Sequence, residues 1–170
     1  MERVFMIDNK VNSKILVVYF SHSGNTRAIA KQIHGKVGGT LVEIETVQPY
    51  SRVHNEAVEQ ARREVNEEAF PKLKTKIENM ASYETVFLGY PNWWRTIPRP
   101  VATFLSEYDF TGKSIAAFCT HGGGGLGRSI SDIKKMCPRA TVFDGLDVYE
   151  SSVRNAEREV SAWLHKIGMI

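Results

Sequence analysis

The sequence predicts an α/β protein in which a parallel sheet is covered by helices on both faces. Three observations indicate this class. Five short apolar segments recur along the 170 residues, helix-patterned stretches separate them, and the segments at 14–20, 85–90 and 114–120 are apolar almost throughout. Such strands are typical of a sheet buried between two helical layers. The length matches one compact domain, so we expect residues 1–170 to form a single domain with residues 1–12 as an N-terminal extension.

The first half of the chain alternates strand and helix patterns. Residues 14–20 form a nearly continuous apolar run and predict a strand. Residues 26–37 repeat apolar side chains at helical spacing, and the paired glycines that follow end this helix. Residues 40–47 predict a second strand. Residues 54–69 are charged and favour a helix, and a short helix is predicted at 72–80.

The second half repeats this alternation. Buried strands are predicted at 85–90 and 114–120, and the helix between them, 98–108, begins with proline in its first turn. A helix is predicted at 127–136. A short strand follows at 140–143, with 146–148 as an extension beyond Gly145, and a closing helix is predicted at 153–167. The N-terminal residues predict either an edge strand at 3–7 or a loosely packed segment.

Composition and charge exclude several classes of protein. Hydrophobic residues make up 42% of the chain and charged residues 24%, as in an ordinary globular protein. The net charge of +3 is scattered, so we expect no nucleic-acid partner. No apolar run reaches the length of a membrane span, and residues 1–12 do not resemble a signal peptide. Cys119 and Cys137 form no disulfide or metal motif, so we expect a cytoplasmic protein without a metal site.

The first predicted strand runs directly into a polar loop at the start of a helix. This loop consists of Ser21, His22, Ser23, Gly24, Asn25 and Thr26. Unpaired N–H groups and the helix dipole favour an anion at such a point, and the hydroxyl groups add further donors. The same residue types also cap helices, so the loop by itself indicates either a phosphate site or a cap. The fingerprints of nucleoside triphosphatases and of dinucleotide-binding proteins are both absent from it.

Two further loops follow the third and fourth predicted strands, at the same edge of the predicted sheet. The loop after the third strand contains Trp93 and Trp94 between prolines. It predicts a flat wall for a planar ring, or else one buried and one half-exposed tryptophan without a ligand. The loop after the fourth strand has five glycines among residues 122–127. It predicts backbone that approaches a ligand closely, or a mobile surface turn.

Together these three loops resemble those of the flavodoxins. The resemblance covers residues 14–168 and is strongest to members whose second loop reads Gly-Tyr-Pro-x-Trp-Trp, here Gly89 to Trp94. It implies a three-layer α/β/α flavodoxin-like fold with a five-stranded parallel sheet in the order 2-1-3-4-5. It also implies FMN as the cofactor.

The resemblance further implies which residues bind FMN. Loop 1, defined as Ser21 to Thr26, would hold the phosphate. Loop 2, which continues from Pro91, would line the flavin ring and ribityl chain through Pro91, Asn92, Trp93 and Trp94. Loop 3, which starts at Thr120, would reach the pyrimidine edge through Thr120, His121, Gly122 and Gly123. No residue of the protein is assigned a catalytic role, because the cofactor carries the chemistry.

The chain departs from the family pattern at three points. Arg95 stands where a small residue such as glycine is common, and Asn92 stands where an apolar residue is usual. Loop 3 has no tyrosine or tryptophan to cover the outer face of the ring. His121 is therefore interpreted either as a ring contact or as a loop histidine satisfied by its neighbours.

Two functions of different classes are consistent with these residues. The first is an electron carrier that exchanges electrons with redox protein partners. The second is an FMN-dependent NAD(P)H reductase of quinone-like or nitro compounds, which would use a small-molecule electron acceptor. The basic net charge disfavours the first, because carrier flavodoxins are typically acidic, and Arg95 favours the second. A domain without a cofactor is a third interpretation. We expect a monomer or a weak dimer.

Overall fold

The computed structural model describes residues 14–170, and these form a parallel sheet between helical layers. The strands are β1 (Ile15–Tyr19), β2 (Thr40–Glu43), β3 (Thr85–Pro91), β4 (Ser114–His121), β5 (Thr141–Val142) and β6 (Leu146–Tyr149). The α-helices are α1 (Asn25–Val37), α2 (His54–Asn66), α3 (Arg99–Glu107), α4 (Ser129–Met136) and α5 (Glu157–Lys166). Two 3₁₀ segments, Met80–Ser82 and Glu150–Asn155, complete the regular structure of the described residues.

The strand order is β2-β1-β3-β4-β5, which confirms the predicted flavodoxin-like α/β fold. The strands pair in parallel throughout. The far edge of β4 is shared by two short strands, because β5 pairs with its start and β6 with its end. Gly145 lies between them, where an added Cβ atom would approach Ile130 Cδ1 to 2.9 Å. The predicted extension of the fifth strand is therefore a separate strand after a glycine break.

An apolar core lies on each face of the sheet. On one face α1 and α5 pack through side chains such as Ile33 and Leu164. On the other face α3 and α4 pack through side chains such as Phe104 and Ile133. The central strands contribute to both cores in alternation, which explains why their sequences are apolar on both sides.

The helix predicted at 72–80 is wrong. This segment instead runs in extended form beside the chain that leaves β2, and Thr46 and Leu73 form an antiparallel bridge. Lys74 N–H donates to Glu45 O at 2.8 Å, and Val47 N–H donates to Lys72 O at 2.9 Å. Leu73 and Met80 are buried in the core. The tertiary pairing and burial of these side chains override the local helix preference.

The other differences concern the ends of elements. β2 ends at Glu43, four residues before the predicted boundary. The predicted closing helix is divided, with a 3₁₀ segment before α5 begins at Glu157. The predicted alternatives for residues 3–7 lie outside the described residues. None of the helices within residues 14–170 is both long enough and apolar enough to cross a membrane.

Candidate functional site

A cavity of about 400 Å³ opens at the carboxyl ends of β1, β3 and β4. This is the point where the strand order reverses, and ligands of doubly wound folds bind there. The three predicted loops and α2 form most of its walls. The lining residues are His22, Ser23, Asn25, His54, Ala57, Val58, Ala61, Pro91, Asn92, Trp93, Trp94, Thr120, His121, Gly122 and Glu150.

The structure brings most of the predicted site residues to this cavity. Ser21, Gly24, Thr26 and Gly123 do not line it, but each is adjacent in sequence to a residue that does. Ser21 lines a second, more open cavity of about 810 Å³, which shares His22, Ser23 and His54 with the first. Loop 1 therefore lies at the junction of the two cavities.

Loop 1 combines a helix cap with free backbone donors. Gly24 has a φ of 97°, in the left-handed region that favours glycine. The Ser21 hydroxyl oxygen accepts hydrogen bonds from the N–H groups of Gly24 at 3.2 Å and Arg27 at 3.3 Å. Within residues 14–170 the N–H groups of His22, Ser23, Asn25 and Thr26 have no acceptor. The loop thus caps its helix in part and leaves four N–H groups for an anion.

A buried hydroxyl pair joins loop 1 to loop 3. Thr26 Oγ1 and Thr120 Oγ1 are 2.8 Å apart, and the two side chains are 1% and 3% exposed. These hydroxyl groups satisfy each other. Their arrangement holds the start of α1 against the end of β4.

Loop 2 turns sharply around two residues with positive φ. Trp93 and Thr96 exchange backbone hydrogen bonds at 3.2 Å, and between them Trp94 has a φ of 54° and Arg95 a φ of 68°. This is the geometry of the tight turn that favours Asn-Gly. Strained backbone of this kind persists where the surroundings hold it. Here Arg128 N–H donates to Arg95 O at 2.8 Å, which holds the turn against the start of α4.

The two tryptophans of loop 2 have different surroundings. Trp93 is half-buried and packs edge-on against Phe20, Tyr50 and His22, with ring centroids 5.1 to 5.7 Å away. Trp94 is 43% exposed, and its indole N–H donates to Val58 O at 3.1 Å. Both indoles still line the cavity. The two tryptophans therefore line the cavity and also contact the residues around it.

Asn92 joins loop 2 to loop 3. Its side-chain Nδ2 donates to Gly125 O at 2.8 Å, and its backbone N–H donates to Thr120 O at 2.8 Å. An added Cβ atom at Gly124 would approach Asn92 Nδ2 to 2.8 Å. The polar residue that departs from the family pattern at this position thus orders the glycine-rich loop.

His121 is a buried residue whose two ring nitrogens are both engaged. Gly123 N–H donates to Nδ1 at 3.0 Å, so Nδ1 is unprotonated and the proton lies on Nε2. That Nε2–H then donates to Asp147 Oδ2 at 2.9 Å. His121 is therefore satisfied by its neighbours, and it also lines the cavity. Its contact with a flavin ring stays a prediction.

Sequence reasoning missed two contributors to the site. Tyr149 is the last residue of β6. The centroid of its ring lies 5.0 Å from that of the His121 ring, and its hydroxyl donates to Gly122 O at 3.0 Å. The strand pattern at 146–148 could have indicated it, since parallel strands end at one edge. The other contributor is α2, which lines the cavity. Its sequence shows an amphipathic helix and gives no sign of what that helix faces.

The cationic side chains near loops 1 and 2 do not line the first cavity. Arg27 lies in the second cavity and binds Glu43, with Arg27 Nε 3.1 Å from Glu43 Oε1. This hydrogen bond raises the pKa of the guanidinium. Arg95, which the sequence suggested as a cation beside the ring, is exposed and contributes to the turn through its backbone. Within residues 14–170, the lining of the first cavity therefore includes no arginine or lysine.

Other reactive groups are buried or scattered. Burial raises the pKa of the Cys119 thiol well above its ordinary value, so the thiol stays protonated and unreactive at neutral pH. In the described part of the chain, no group of three His, Cys, Asp or Glu side chains is placed to bind a metal ion.

The sheet order and the cavity at its switch point define a doubly wound α/β protein with a cavity between three loops. A family model described as flavodoxin matches residues 14–167, and the chain belongs to the flavodoxin family. The narrower group with the Gly-Tyr-Pro-x-Trp-Trp loop stays a prediction. Among curated proteins, none matches the chain.

Solved structures share this fold. A candidate flavoprotein from Bacteroides eggerthii is 36% identical, with a TM-score of 0.81 over 92% of this chain and 98% of that one. A second, from Bacteroides uniformis, is 27% identical, with a TM-score of 0.78 over 88% and 99%. A flavoprotein from Lactobacillus acidophilus in complex with FMN is 19% identical, with a TM-score of 0.69 over 84% and 97%, and shows likeness of fold alone.

Proposed function

We propose that this chain binds FMN in the cavity between the three loops and transfers electrons between redox protein partners. The observation that carries the FMN-binding part of the proposal concerns loops 1 and 2 around one cavity. His22, Ser23 and Asn25 of loop 1 line it with N–H groups that have no acceptor within residues 14–170, and the two indoles of loop 2 line it as well. A phosphate matches the first group and a planar ring the second. The Lactobacillus acidophilus flavoprotein, which shares the fold and was crystallised with FMN, supports the choice of ligand.

The size and chemistry of the site are consistent with FMN. A cavity of about 400 Å³ lies in the range of small-ligand sites. Loop 1 would donate its N–H groups and the Ser23 hydroxyl to the phosphate, and Trp93 and Trp94 of loop 2 would border the ring. Bound FMN supplies the transfer of one or two electrons, and the chain supplies binding, orientation and electrostatic surroundings.

Ligand binding tests the first part of the proposal. The purified protein, freed of flavin, should bind FMN and quench its fluorescence, and it should bind riboflavin about tenfold or more weakly, since riboflavin lacks the phosphate that loop 1 would hold. FAD should bind weakly, because residues 14–170 form one sheet with its helices and provide no second domain for the adenosine half. Equal affinities for FMN and riboflavin would show that loop 1 does not bind the phosphate.

Anaerobic reduction tests the second part. The FMN-loaded protein should keep its oxidised spectrum when mixed with NADH or NADPH and should lose it when mixed with a reduced redox protein, such as a ferredoxin kept reduced by its reductase. Rapid bleaching by the nicotinamide would instead favour the reductase of quinone-like or nitro compounds. The same assay with such an acceptor then measures turnover.

A further inference from the structure

The helix α2 stands apart from the two cores of the molecule. Of its thirteen residues only Ala57 and Ala61 are buried, and neither belongs to the apolar cluster on either face of the sheet. The connection from β2 to β3 covers the sheet instead with its extended part, through Leu73 and Met80. Core packing therefore does not explain the position of α2.

One face of α2 lies along the cavity. His54, Ala57, Val58 and Ala61 line it, at the spacing of one side of a helix. The two alanines at the centre of this face are each 3% exposed. Their small side chains let the helix lie close to the loops, and the half-buried Val58 adds an apolar side chain to the cavity wall.

Besides the hydrogen bond from the Tyr50 hydroxyl to the Glu64 carboxylate, three hydrogen bonds to backbone carbonyls tether α2 and its flanking residues. The His22 Nε2–H donates to Ser51 O at 2.9 Å, just before the helix, and the Trp94 indole N–H donates to Val58 O at 3.1 Å, within it. The Arg99 Nε–H donates to Ala69 O at 2.6 Å, after it. Each acceptor is a backbone carbonyl. Two of the donors belong to the loops that line the cavity.

We propose that α2 is a cover of the flavin site, which forms a further wall through Ala57, Val58 and Ala61 and moves away when FMN enters or leaves. This inference rests on the proposed function. Its physical basis is the contrast between a small buried area and a few polar tethers, since elements with few buried apolar contacts open at low free-energy cost. A ligand that orders loops 1 and 2 also orders the tethers, so cavity occupancy and closure of α2 are coupled.

The indole tether offers a matched pair of variants. Trp94→Phe keeps an aromatic ring and removes the N–H that binds α2. Trp163→Phe is the control, because its indole N–H also donates to a backbone carbonyl, Asp144 O at 2.8 Å, outside the cavity. Stopped-flow fluorescence measures the rates of FMN association and dissociation. Loss of a tether should raise both rates by about two- to tenfold in Trp94→Phe, and neither rate in Trp163→Phe.

The association rate distinguishes a cover from a simple ring contact. Loss of ring contact alone would speed dissociation and leave association unchanged, and that result would overturn the proposal. Hydrogen exchange of α2 amides gives a second readout. In the wild type these amides should exchange faster than those of α3 without FMN and should slow on binding, and Trp94→Phe should speed them in the free protein.

The two proposals fail in different ways. If the wild type does not bind FMN, the proposed function is wrong and the cover falls with it. If FMN binds but the exchange of α2 amides is the same in the free and bound protein, the cover alone is wrong.

Discussion

Arg95 occupies a backbone conformation that an L-residue with a side chain adopts at a cost. Its φ of 68° follows the φ of 54° at Trp94, so two consecutive residues without glycine form the tight turn of loop 2. The family pattern has a small residue at the position of Arg95, and the turn geometry explains that preference. The strain is stored at the edge of the cavity, where the hydrogen bond from Arg128 N–H holds it.

Arg95→Gly should therefore stabilise the protein. The left-handed conformation costs an ordinary residue about 1–2 kcal/mol, and glycine gives back about 0.5–1 kcal/mol through the flexibility of the unfolded chain. We expect a net gain of about 0.5–1 kcal/mol in the free energy of unfolding, measured by urea denaturation. Arg128→Gly, at a φ of −96°, is the control and should give no gain. Equal changes in both variants would contradict the argument.

The Thr26–Thr120 hydroxyl pair gives a second test on single residues. Thr26→Val leaves the buried Thr120 hydroxyl without a partner, and Thr120→Val does the reverse, so each should lower the free energy of unfolding by about 1–3 kcal/mol. In the double variant neither group is left unpaired, so its loss should be smaller than the sum of the two. Additive losses in a urea-denaturation cycle would show that the hydroxyls do not depend on each other.

Among the elements, the contact between β3 and β4 is the most closely packed at a glycine. Gly89 pairs with Phe118, and an added Cβ atom would lie 2.2 Å from the Phe118 ring. Gly89→Ala should therefore destabilise the protein by about 1–3 kcal/mol through overpacking. Gly35→Ala is the opposite case within α1, where nothing lies within 4 Å, and should stabilise by about 0.5–1 kcal/mol. Thermal unfolding of both variants checks the pair, and a tolerated Gly89→Ala would disprove the packing argument.

The sequence predicts elements well where one physical signal dominates. β1, β3 and β4 are apolar on both sides, so their existence and parallel arrangement follow from composition alone. Residues 72–80 carry a weaker, helix-compatible pattern, and their structure depends on pairing with Thr46, which is distant in sequence. The position of α2 beside the cavity could not be predicted either. Amphipathicity indicates that a helix packs on another surface, but it does not identify that surface.

At the scale of the whole molecule, the three loops could be predicted to meet because parallel strands end at one edge. The sequence does not predict which of the hydroxyl, amide and imidazole groups of these loops form hydrogen bonds with other protein groups. Thr26 and Thr120 bind each other, Asn92 binds loop 3, and His121 binds Asp147, and these pairings depend on atomic distances across separate strands. Within residues 14–170, the backbone N–H groups of His22, Ser23, Asn25 and Thr26 have no acceptor beside these side-chain pairings.

Two buried thiols and a buried phenol predict how the stability of the protein changes at alkaline pH. Burial raises the pKa of the Cys137 thiol to about 11 and also raises the pKa values of Cys119 and the Tyr90 phenol. In the unfolded chain, thiols ionise at about pH 8.5 and phenols at about pH 10. The unfolded state therefore loses protons first, and the free energy of unfolding should fall as the pH rises above about 8.5.

Urea denaturation at about pH 7.5 and about pH 10 measures this loss. The midpoint should be lower at the higher pH, and a Cys119→Ala, Cys137→Ala double variant should show a smaller difference between the two conditions than the wild type. A midpoint that is unchanged at about pH 10 would mean that these groups ionise equally in the folded and unfolded chain.

β5 and β6 together occupy the position beside β4 in the sheet, and this arrangement affects how the protein associates with other copies of itself. A long, flat and unpaired strand edge recruits strands from other chains, and proteins avoid this with short or interrupted edges. Here the outer edge of the eight-residue β4 is covered by β5, with two residues, and β6, with four, and Gly145 separates them. Among the described residues, this edge thus consists of two short strands with a glycine between them, and we expect it to be a poor template for a continuous ladder between molecules.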